Sequence, residues 1–231
     1  MYFSDNFNKQ LALQHYGVDN EIDLRKKIYG TRSACSEEEI GFLKSYISDL
    51  DSVVYGEIGV YFGGTFRQMI DHISSTTNQY MCYGFDLFED LRIETFGEHQ
   101  THDIKNKWNI LNVAYCDDLH KSLIEFGCKN FSLVKGSSDE TIMTVDDQFD
   151  LFFIDGNHTY EQCKKDFEAA YAKSKNGAVI VFDNSSNDIE PDPRYVALDG
   201  GPWKVCQGLM SDDRVIFLEK VKRFTSFRVK K

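Results

Sequence analysis

Residues Phe149–Asn184 read FDLFFIDGNHTYEQCKKDFEAAYAKSKNGAVIVFDN and contain two strand-like runs around one helix-like segment. The runs FDLFFID and AVIVFD are short, apolar and rich in β-forming residues, which is typical of strands buried on both faces. The segment between them has a helical pattern, and Gly177 is expected to end that helix. This order of elements predicts two parallel strands joined by a crossover helix.

The same alternation continues towards the start of the sequence. Strands are predicted at SVVYGEIG, YMCYGFDLF and FSLVKG, with a helix at TFRQMIDHI after the first of them. Alternating strands and helices build a mostly parallel sheet with helices on both faces. The fold class expected is therefore α/β, a Rossmann-like three-layer sandwich.

The last two β-rich runs, RVIFLEKV and RFTSFRV, have almost nothing between them. So short a connection allows an antiparallel turn but no crossover helix, and it predicts a hairpin that closes the edge of the sheet. The tail is also basic. We interpret its charges as residues that blunt an exposed edge strand rather than as an anion-binding patch; they are Lys220, Lys222, Arg223, Arg228, Lys230 and Lys231.

The first fifty residues have a helical pattern and are expected to form an N-terminal extension, residues 1–50, to one domain of residues 51–231. Ser36 and Glu39 form a capping-box pattern that opens a helix. Its buried face is expected to consist of Ile40, Leu43, Ile47 and Leu50. The polar segments 89–116 and 185–202 are interpreted as insertions near the site.

The charge balance restricts the partners. The 231 residues include 26 Lys and Arg but 37 Asp and Glu, a net charge of −11. So acidic a surface repels phosphate backbones and anionic lipid, which disfavours nucleic acid and membranes and favours a small-molecule partner. The sequence is compatible with a homo-oligomer.

Neither a bilayer span nor a secretory signal is recognisable, so a cytoplasmic protein is expected. The six cysteines form no C-x-x-C pair. They are interpreted as reduced thiols rather than as disulfides or zinc ligands.

The segment EIGVYFGGT, Glu57–Thr65, lies between a predicted strand and a predicted helix. Glycines there allow a sharp turn and a close approach to a ligand, and the helix start offers N–H groups to a negative group. A purely structural turn is the alternative, since the glycine spacing is not that of the dinucleotide fingerprint. Asp86, at the end of the next strand, is the candidate for binding ribose hydroxyls, or else an ordinary loop aspartate.

Asp155 follows FDLFFI, and Asp183 and Asn184 follow AVIVF. Both sets lie at carboxyl ends of predicted neighbouring strands, so their oxygens are expected to converge and to suit a hard cation such as Mg²⁺. The alternative is that both aspartates merely cap loops.

His158, three residues after Asp155, is placed to take a proton near neutral pH, unless it is a packing residue. His99 and His102 have the spacing of a metal pair but lack a third ligand, so we interpret them as a solvated helix face.

Together these motifs resemble class I S-adenosylmethionine (SAM) dependent O-methyltransferases over residues 36–230. More narrowly they resemble the metal-dependent branch with catechol O-methyltransferase and the macrolide and aminocoumarin sugar O-methyltransferases. EIGVYFGGT is similar to that branch's E-L-G-x-Y-x-G-x-S, and D-G-N-H-T-Y is similar to the D-G-x-H-x-Y of the sugar enzymes. The resemblance implies seven strands with an antiparallel last strand.

The resemblance also implies site residues. The SAM-binding set is Glu57, Gly59, Tyr61, Gly63, Thr65, Asp86, Leu87, Gly136, Ser137, Ser138 and Asp155. The Mg²⁺ ligands are Asp155, Asp183 and Asn184, an Asp-Asn pair as in the catechol enzymes. His158 stands where those enzymes have a catalytic lysine, so His158 or Asp155 is the expected base.

The expected activity is transfer of the SAM methyl group to a hydroxyl held by Mg²⁺, most readily on a sugar of a natural product or surface polysaccharide. A catechol-type phenol is the second choice of acceptor. Two other readings are a nucleotide-dependent oxidoreductase of Rossmann type, which the glycine spacing disfavours, and a methyltransferase-like binding protein without turnover.

Overall fold

The chain was analysed as a computed structural model, which describes residue 14 and residues 17–31, 33–88, 115–185 and 200–231. The helices are α1 (Glu21–Ile28), α2 (Glu37–Ser45), α3 (Gly64–Thr76), α4 (Tyr115–Glu125), α5 (Ser138–Thr141), α6 (Tyr160–Lys173) and α7 (Gly201–Leu209), and a 3₁₀ turn covers Ile142–Thr144. The strands are β1 (Ser52–Ile58), β2 (Gln79–Asp86), β3 (Phe131–Lys135), β4 (Phe149–Ile154), β5 (Ser174–Phe182), β6 (Val215–Val221) and β7 (Phe224–Val229).

All seven strands form one sheet in the order β3-β2-β1-β4-β5-β7-β6. The pairs from β3 to β5 are parallel, whereas β7 is antiparallel to both β5 and β6. The predicted α/β sandwich and its antiparallel C-terminal hairpin are thus confirmed. Because the strand order reverses between β1 and β4, their carboxyl ends flank the crevice in which such sheets place ligands.

Two hydrophobic cores lie on opposite faces of the sheet, as the period of two along each strand requires. One core contains Val53, Tyr55, Leu151, Phe153, Val179 and Val181 together with apolar residues of α2, α3 and α4. The other contains Ile58, Phe152, Ile154, Ile180 and Phe182 together with residues of α6 and α7. Helices on both faces complete the three layers.

Helix α2 starts at the predicted capping box. The Ser36 backbone N–H donates to Glu39 Oε2 at 2.7 Å, and the Glu39 N–H donates to Ser36 Oγ at 3.4 Å. Ile40, Leu43 and Ile47 are buried as expected. The placement of Leu50 on this face was wrong: the helix ends at Ser45, and Leu50 is 37% exposed. The proposed boundary after residue 50 stays a prediction, and α2 packs in the same core as β1 and β4.

Gly177 does not end helix α6, contrary to the prediction. The helix ends at Lys173 and β5 begins at Ser174, so Gly177 lies within the strand with φ of +86°. The pairing of β4 with β5 shifts from Phe149–Ser174 to Leu151–Val179, which places a bulge at this glycine. The glycine therefore serves the bulge and not the helix terminus.

The hairpin connection consists of Lys222 and Arg223, since Val221 pairs with Phe224. Residues 89–114 and 186–199, including His99 and His102, lie outside the described residues. Of the predicted second insertion, Gly201 and Pro202 begin helix α7 instead. All six cysteines are free thiols, as predicted. In the described part of the chain, no helix is both long enough and apolar enough to cross a membrane.

Candidate active site

Three neighbouring strands end at the same edge of the sheet and bring two aspartates together. The backbone N–H of Asp155, just after β4, donates to the carbonyl of Ile58 on β1 at 2.8 Å. The N–H of Asp183, just after β5, donates to the carbonyl of Ile154 at 3.0 Å. Parallel pairing thus aligns the ends of β1, β4 and β5, and the loop after each strand starts at this edge.

Asp155, His158 and Asp183 form a compact cluster in which one potential ligand atom from each residue lies within 4.8 Å of the others. His158 Nε2 lies 3.3 Å from Asp155 Oδ1. Burial raises the pKa of Asp155 to about 6. Burial, and then the like charge of Asp155, raises the pKa of Asp183 well above its usual range. Two carboxylates this close in a buried site favour either a shared proton or a bound cation.

The cluster is chemically suited to a divalent cation, since carboxylate oxygens are the ligands that Mg²⁺ prefers and an imidazole also suits other divalent metals. Asn184 lies beside it with φ of +47°. Its backbone N–H donates to Asp183 Oδ1 at 2.8 Å, and its side-chain Nδ2 donates to Asp183 Oδ2 at 3.3 Å. In this orientation the Asn184 side chain donates to Asp183. His158 is the third member of the cluster beside the two aspartates.

Arg223 and Glu39 also reach this cluster, which the sequence did not indicate. Arg223 Nε lies 2.9 Å from Asp183 Oδ1 and 3.2 Å from Glu39 Oε1. The interpretation of Arg223 as an edge-blunting charge was therefore wrong, because the hairpin turn places it beside the end of β5. The Ser185 N–H fixes that turn by donating to the Arg223 carbonyl at 2.9 Å.

The glycine turn after β1 joins the same edge. Gly59 has φ of +86° and Gly63 has φ of +75°, a conformation that residues with a Cβ rarely adopt. The Gly59 N–H donates to the carbonyl of Phe85 on β2 at 2.9 Å. The turn thus lies between the ends of β1 and β2, beside the Asp155 loop.

Asp86, the predicted ribose ligand, is joined to this turn. Its carboxylate accepts the N–H groups of Tyr61 and Phe88, each at 2.9 Å, and the N–H of Leu87 also contributes. The Gly136 N–H donates to the Asp86 carbonyl at 3.0 Å. The predicted residues of β1, β2 and β3 are therefore neighbours at one edge.

Glu57 and Thr65 are buried behind the turn. The Tyr55 hydroxyl donates to Glu57 Oε2 at 2.6 Å, and burial raises the pKa of Glu57 well above its usual range. Thr65 shares a hydrogen bond of 2.8 Å with Ser33, and its hydroxyl also donates to Cys35 Sγ at 3.6 Å. Thr65 thus connects the start of α3 to the segment before α2.

The segment Gly136–Ser138 after β3, which belongs to the predicted SAM-binding set, contacts helix α6. Ser137 donates to the Asp139 carboxylate, and Ser138 donates to Asp166 Oδ1 at 2.5 Å. Asp166 is fully buried, and its Oδ2 has no hydrogen-bond partner among the described residues. Burial raises its pKa to about 6. Asp166 could not be identified from the sequence, because a single acid in an amphipathic helix carries no distinguishing pattern.

Gly201 at the start of α7 packs directly on the His158 loop. A Cβ atom at this position would lie 2.3 Å from the His158 carbonyl oxygen and 2.5 Å from the backbone of Tyr160. Only glycine allows this contact, so α7 supports the loop that carries His158. The close contact could not be inferred from the sequence, where Gly201 appeared to belong to an insertion.

A family model described as a methyltransferase domain matches residues 57–185, which run from the glycine turn past Asp183. No protein with curated annotation matches the sequence significantly.

Several solved structures share the fold at low sequence identity. A Podospora anserina methyltransferase with SAH bound is 15% identical at a TM-score of 0.59, covering 100% of this chain and 98% of its own. A Bacillus cereus O-methyltransferase in complex with SAH is 15% identical at a TM-score of 0.55, covering 96% of each chain. The Streptomyces achromogenes O-methyltransferase of tomaymycin synthesis, in complex with SAM, is 14% identical at a TM-score of 0.54, covering 98% of this chain and 89% of its own.

Proposed function

The chain belongs to the methyltransferase family whose model covers more than half of it, and on this premise we propose a SAM-dependent O-methyltransferase that uses a divalent cation, Mg²⁺ in the first instance. The proposed acceptor is a hydroxyl group of a small molecule. The observation that carries the proposal is the cluster of Asp155, His158 and Asp183, which lies beside the glycine turn at the carboxyl edge of the sheet.

The arrangement of the turn supports SAM as the methyl donor. The glycine turn, the tip of β2 at Asp86 and the Gly136–Ser138 segment are linked by hydrogen bonds along one edge. An acid at the second strand tip is suited to ribose hydroxyls, and a helix start is suited to a carboxylate. Asp86 and Leu87 would hold the ribose, Ser137 and Ser138 would border the adenine, and Gly59, Tyr61, Gly63 and Thr65 would surround the methionine part.

The acid cluster supports a divalent cation, which when bound would lower the pKa of the acceptor hydroxyl and align its oxygen. Asp155 and Asp183 would hold the cation through their carboxylates, with Asn184 or His158 completing the set. With the glycine turn beside the cluster, the acceptor would lie next to the donor, and proximity would supply a large share of the rate enhancement.

In the proposed reaction, the bond between the methyl carbon and the SAM sulfur breaks as a bond to the acceptor oxygen forms. The hydroxyl proton passes to His158 or Asp155. Burial lowers the pKa of His158 below its ordinary value, so the imidazole is neutral near pH 7 and able to accept that proton. The hydrogen bond between His158 Nε2 and Asp155 Oδ1, 3.3 Å long, also orients the ring.

The preferred acceptor is a sugar of a natural product or of a surface polysaccharide, because D-G-N-H-T-Y resembles the sugar-methylating enzymes. A phenol of the catechol type is the second candidate, favoured by the Asp183-Asn184 pair. A non-catalytic binding protein is the third. Trp203, 37% exposed on α7, is available to stack on either kind of ring.

A methyl-transfer screen over nucleotide sugars and catechols, with and without Mg²⁺, tests the proposal. Dialysis against a chelator is expected to abolish turnover, and added Mg²⁺ to restore it. Asp183→Asn is expected to lose turnover, whereas Asp71→Asn, on an exposed face of α3, is the matched control. Full activity after chelation would remove the cation from the mechanism, and calorimetry that detects no SAM binding would contradict the methyltransferase activity itself.

A further inference from the structure

Arg223 stands between two carboxylates that come from different parts of the chain. Its Nε lies 2.9 Å from Asp183 Oδ1 and 3.2 Å from Glu39 Oε1, yet the N–H meets hydrogen-bond geometry with neither. The other end of the guanidinium is anchored, since Nη2 donates to the Ala34 carbonyl at 2.9 Å. All three charged side chains are largely buried, with exposures of 19% for Arg223, 6% for Glu39 and 3% for Asp183.

The charges of this group are unbalanced. Asp155, Asp183 and Glu39 bring three negative charges when ionised, and Arg223 supplies one positive charge. The difference is two negative charges, which is the charge of one divalent cation. Uncompensated charges in a buried site are costly. Among the described residues, Arg223 is the only arginine or lysine in ion-pair contact with this group, whose other basic contact is His158 on Asp155.

We propose that Arg223 is a built-in counter-cation that shares Asp183 with a divalent metal ion and yields Asp183 to the ion by moving its guanidinium onto Glu39. The inference rests on the cation of the proposed function. The guanidinium already lies within 3.2 Å of both carboxylates, so the exchange needs only a small rotation. Arg223 is thus a positioning residue that sets the affinity of the site for its ion.

Glu39 also belongs to the capping box of helix α2, which links this exchange to the helix. Its Oε2 accepts the Ser36 N–H and hydroxyl in the capping box, while its Oε1 faces Arg223. The carboxylate is therefore held in place and does not have to move. Binding of the ion is consequently coupled to the start of α2, a segment that lies outside the matched family region.

Titration calorimetry with MgCl₂ on the full chain tests the inference. Arg223→Gln removes the competing charge, so the Mg²⁺ affinity is expected to rise at least about tenfold. Glu39→Gln keeps an oxygen for Ser36 but removes the alternative partner, so the affinity is expected to fall at least about tenfold. The opposite directions of the two effects distinguish this role from general damage to the fold.

A double-mutant cycle separates the exchange from simple charge effects. If Arg223 yields to Glu39, Glu39→Gln weakens Mg²⁺ binding more in the presence of Arg223 than in the Arg223→Gln background. Additive effects would contradict the exchange. The matched controls are Lys222→Gln and Glu38→Gln, an adjacent exposed pair with Nζ and Oε2 2.9 Å apart, and both are expected to leave the affinity within about twofold.

Thermal unfolding with and without Mg²⁺ checks the fold of each variant. If Arg223→Gln does not fold, Glu39→Gln tests the inference by itself, and an unchanged Mg²⁺ affinity in that variant would overturn it. If the wild-type chain binds Mg²⁺ and Arg223→Gln binds it no more tightly, the inference is overturned and the proposed function is unaffected. If neither chain binds Mg²⁺, the proposed cation and this inference are both wrong. SAM binding is measured separately.

Discussion

The carbonyl oxygen of Asp155 lies 2.1 Å from the position that a Cβ atom on Gly59 would occupy. The glycine turn and the acid-bearing loop are therefore in backbone contact, with no room for a side chain between them. In the proposed function Gly59 belongs to the SAM-binding turn and Asp155 to the metal site, so this contact would set the distance between methyl donor and acceptor.

Gly59→Ala is expected to destabilise the fold by several kcal/mol, because the methyl group forces backbone atoms apart, and to abolish SAM binding. Gly177→Ala is the matched control, since Gly177 has the same φ of +86° but no atom of the described residues within 4 Å of its Cβ position. It is expected to lose only about 1 kcal/mol through backbone strain. Urea unfolding compares the two; equal losses would show that the contact with Asp155 is unimportant.

Asp86→Asn is expected to weaken SAM binding at least about tenfold and to destabilise the fold by about 1 to 3 kcal/mol. The carboxylate accepts N–H groups on both oxygens, Tyr61 on Oδ2 and Phe88 on Oδ1, whereas an amide has one accepting oxygen. Calorimetry with SAM and chemical unfolding measure the two effects. Asp71→Asn on the exposed face of α3 controls for the loss of one negative charge. An unchanged SAM affinity would remove Asp86 from the proposed ribose site.

His158→Gln is expected to lower kcat by about 10² to 10⁴ while leaving the affinity for SAM unchanged, as loss of a general base does. His120→Gln, on the exposed side of α4, is the control and is expected to keep full activity. The measurements are steady-state kinetics and SAM titration. A variant with nearly wild-type kcat would assign the proton transfer to Asp155 instead.

As the pH rises, Asp166→Asn is expected to lose less free energy of unfolding than the wild type. The folded pKa of Asp166 is raised to about 6 from 3.8, so its contribution is fully present below pH 4 and is lost as pH rises through 6. From pH 5 to pH 8 the wild type should therefore lose about 1 to 2 kcal/mol that the variant keeps. Urea unfolding at the two pH values measures this; parallel pH profiles would contradict a buried ionising Asp166.

The convergence of Asp155 and Asp183 could be predicted because it depends only on strand direction. Both residues directly follow apolar runs, and parallel strands end at the same edge, so no knowledge of side-chain packing was needed. The buried face of α2 was predictable for a similar reason, although its last member, Leu50, was lost because the helix ends before it.

Arg223 could not be assigned from the sequence because its direction depends on tertiary placement. Had β6 lain next to β5, the hairpin turn would have stood farther from Asp183. In the observed strand order β7 lies next to β5, and the hairpin turn therefore places Arg223 beside the acid cluster. Gly177 was misassigned for a comparable reason, since a glycine that ends a helix and one that forms a bulge have the same local sequence pattern.

The position of β7 between β5 and β6 has a consequence for the order of folding. Of the seven strands in the described residues, β7 is synthesised last, yet within that part of the chain β6 pairs with no other strand and β5 has no other partner on that side. Formation of this half of the sheet must therefore wait until residues 224–229 have been synthesised, whereas β1 to β5 are available to pair earlier. Arg223 arrives with that final strand, so the acid cluster acquires its basic partner in the last step of assembly.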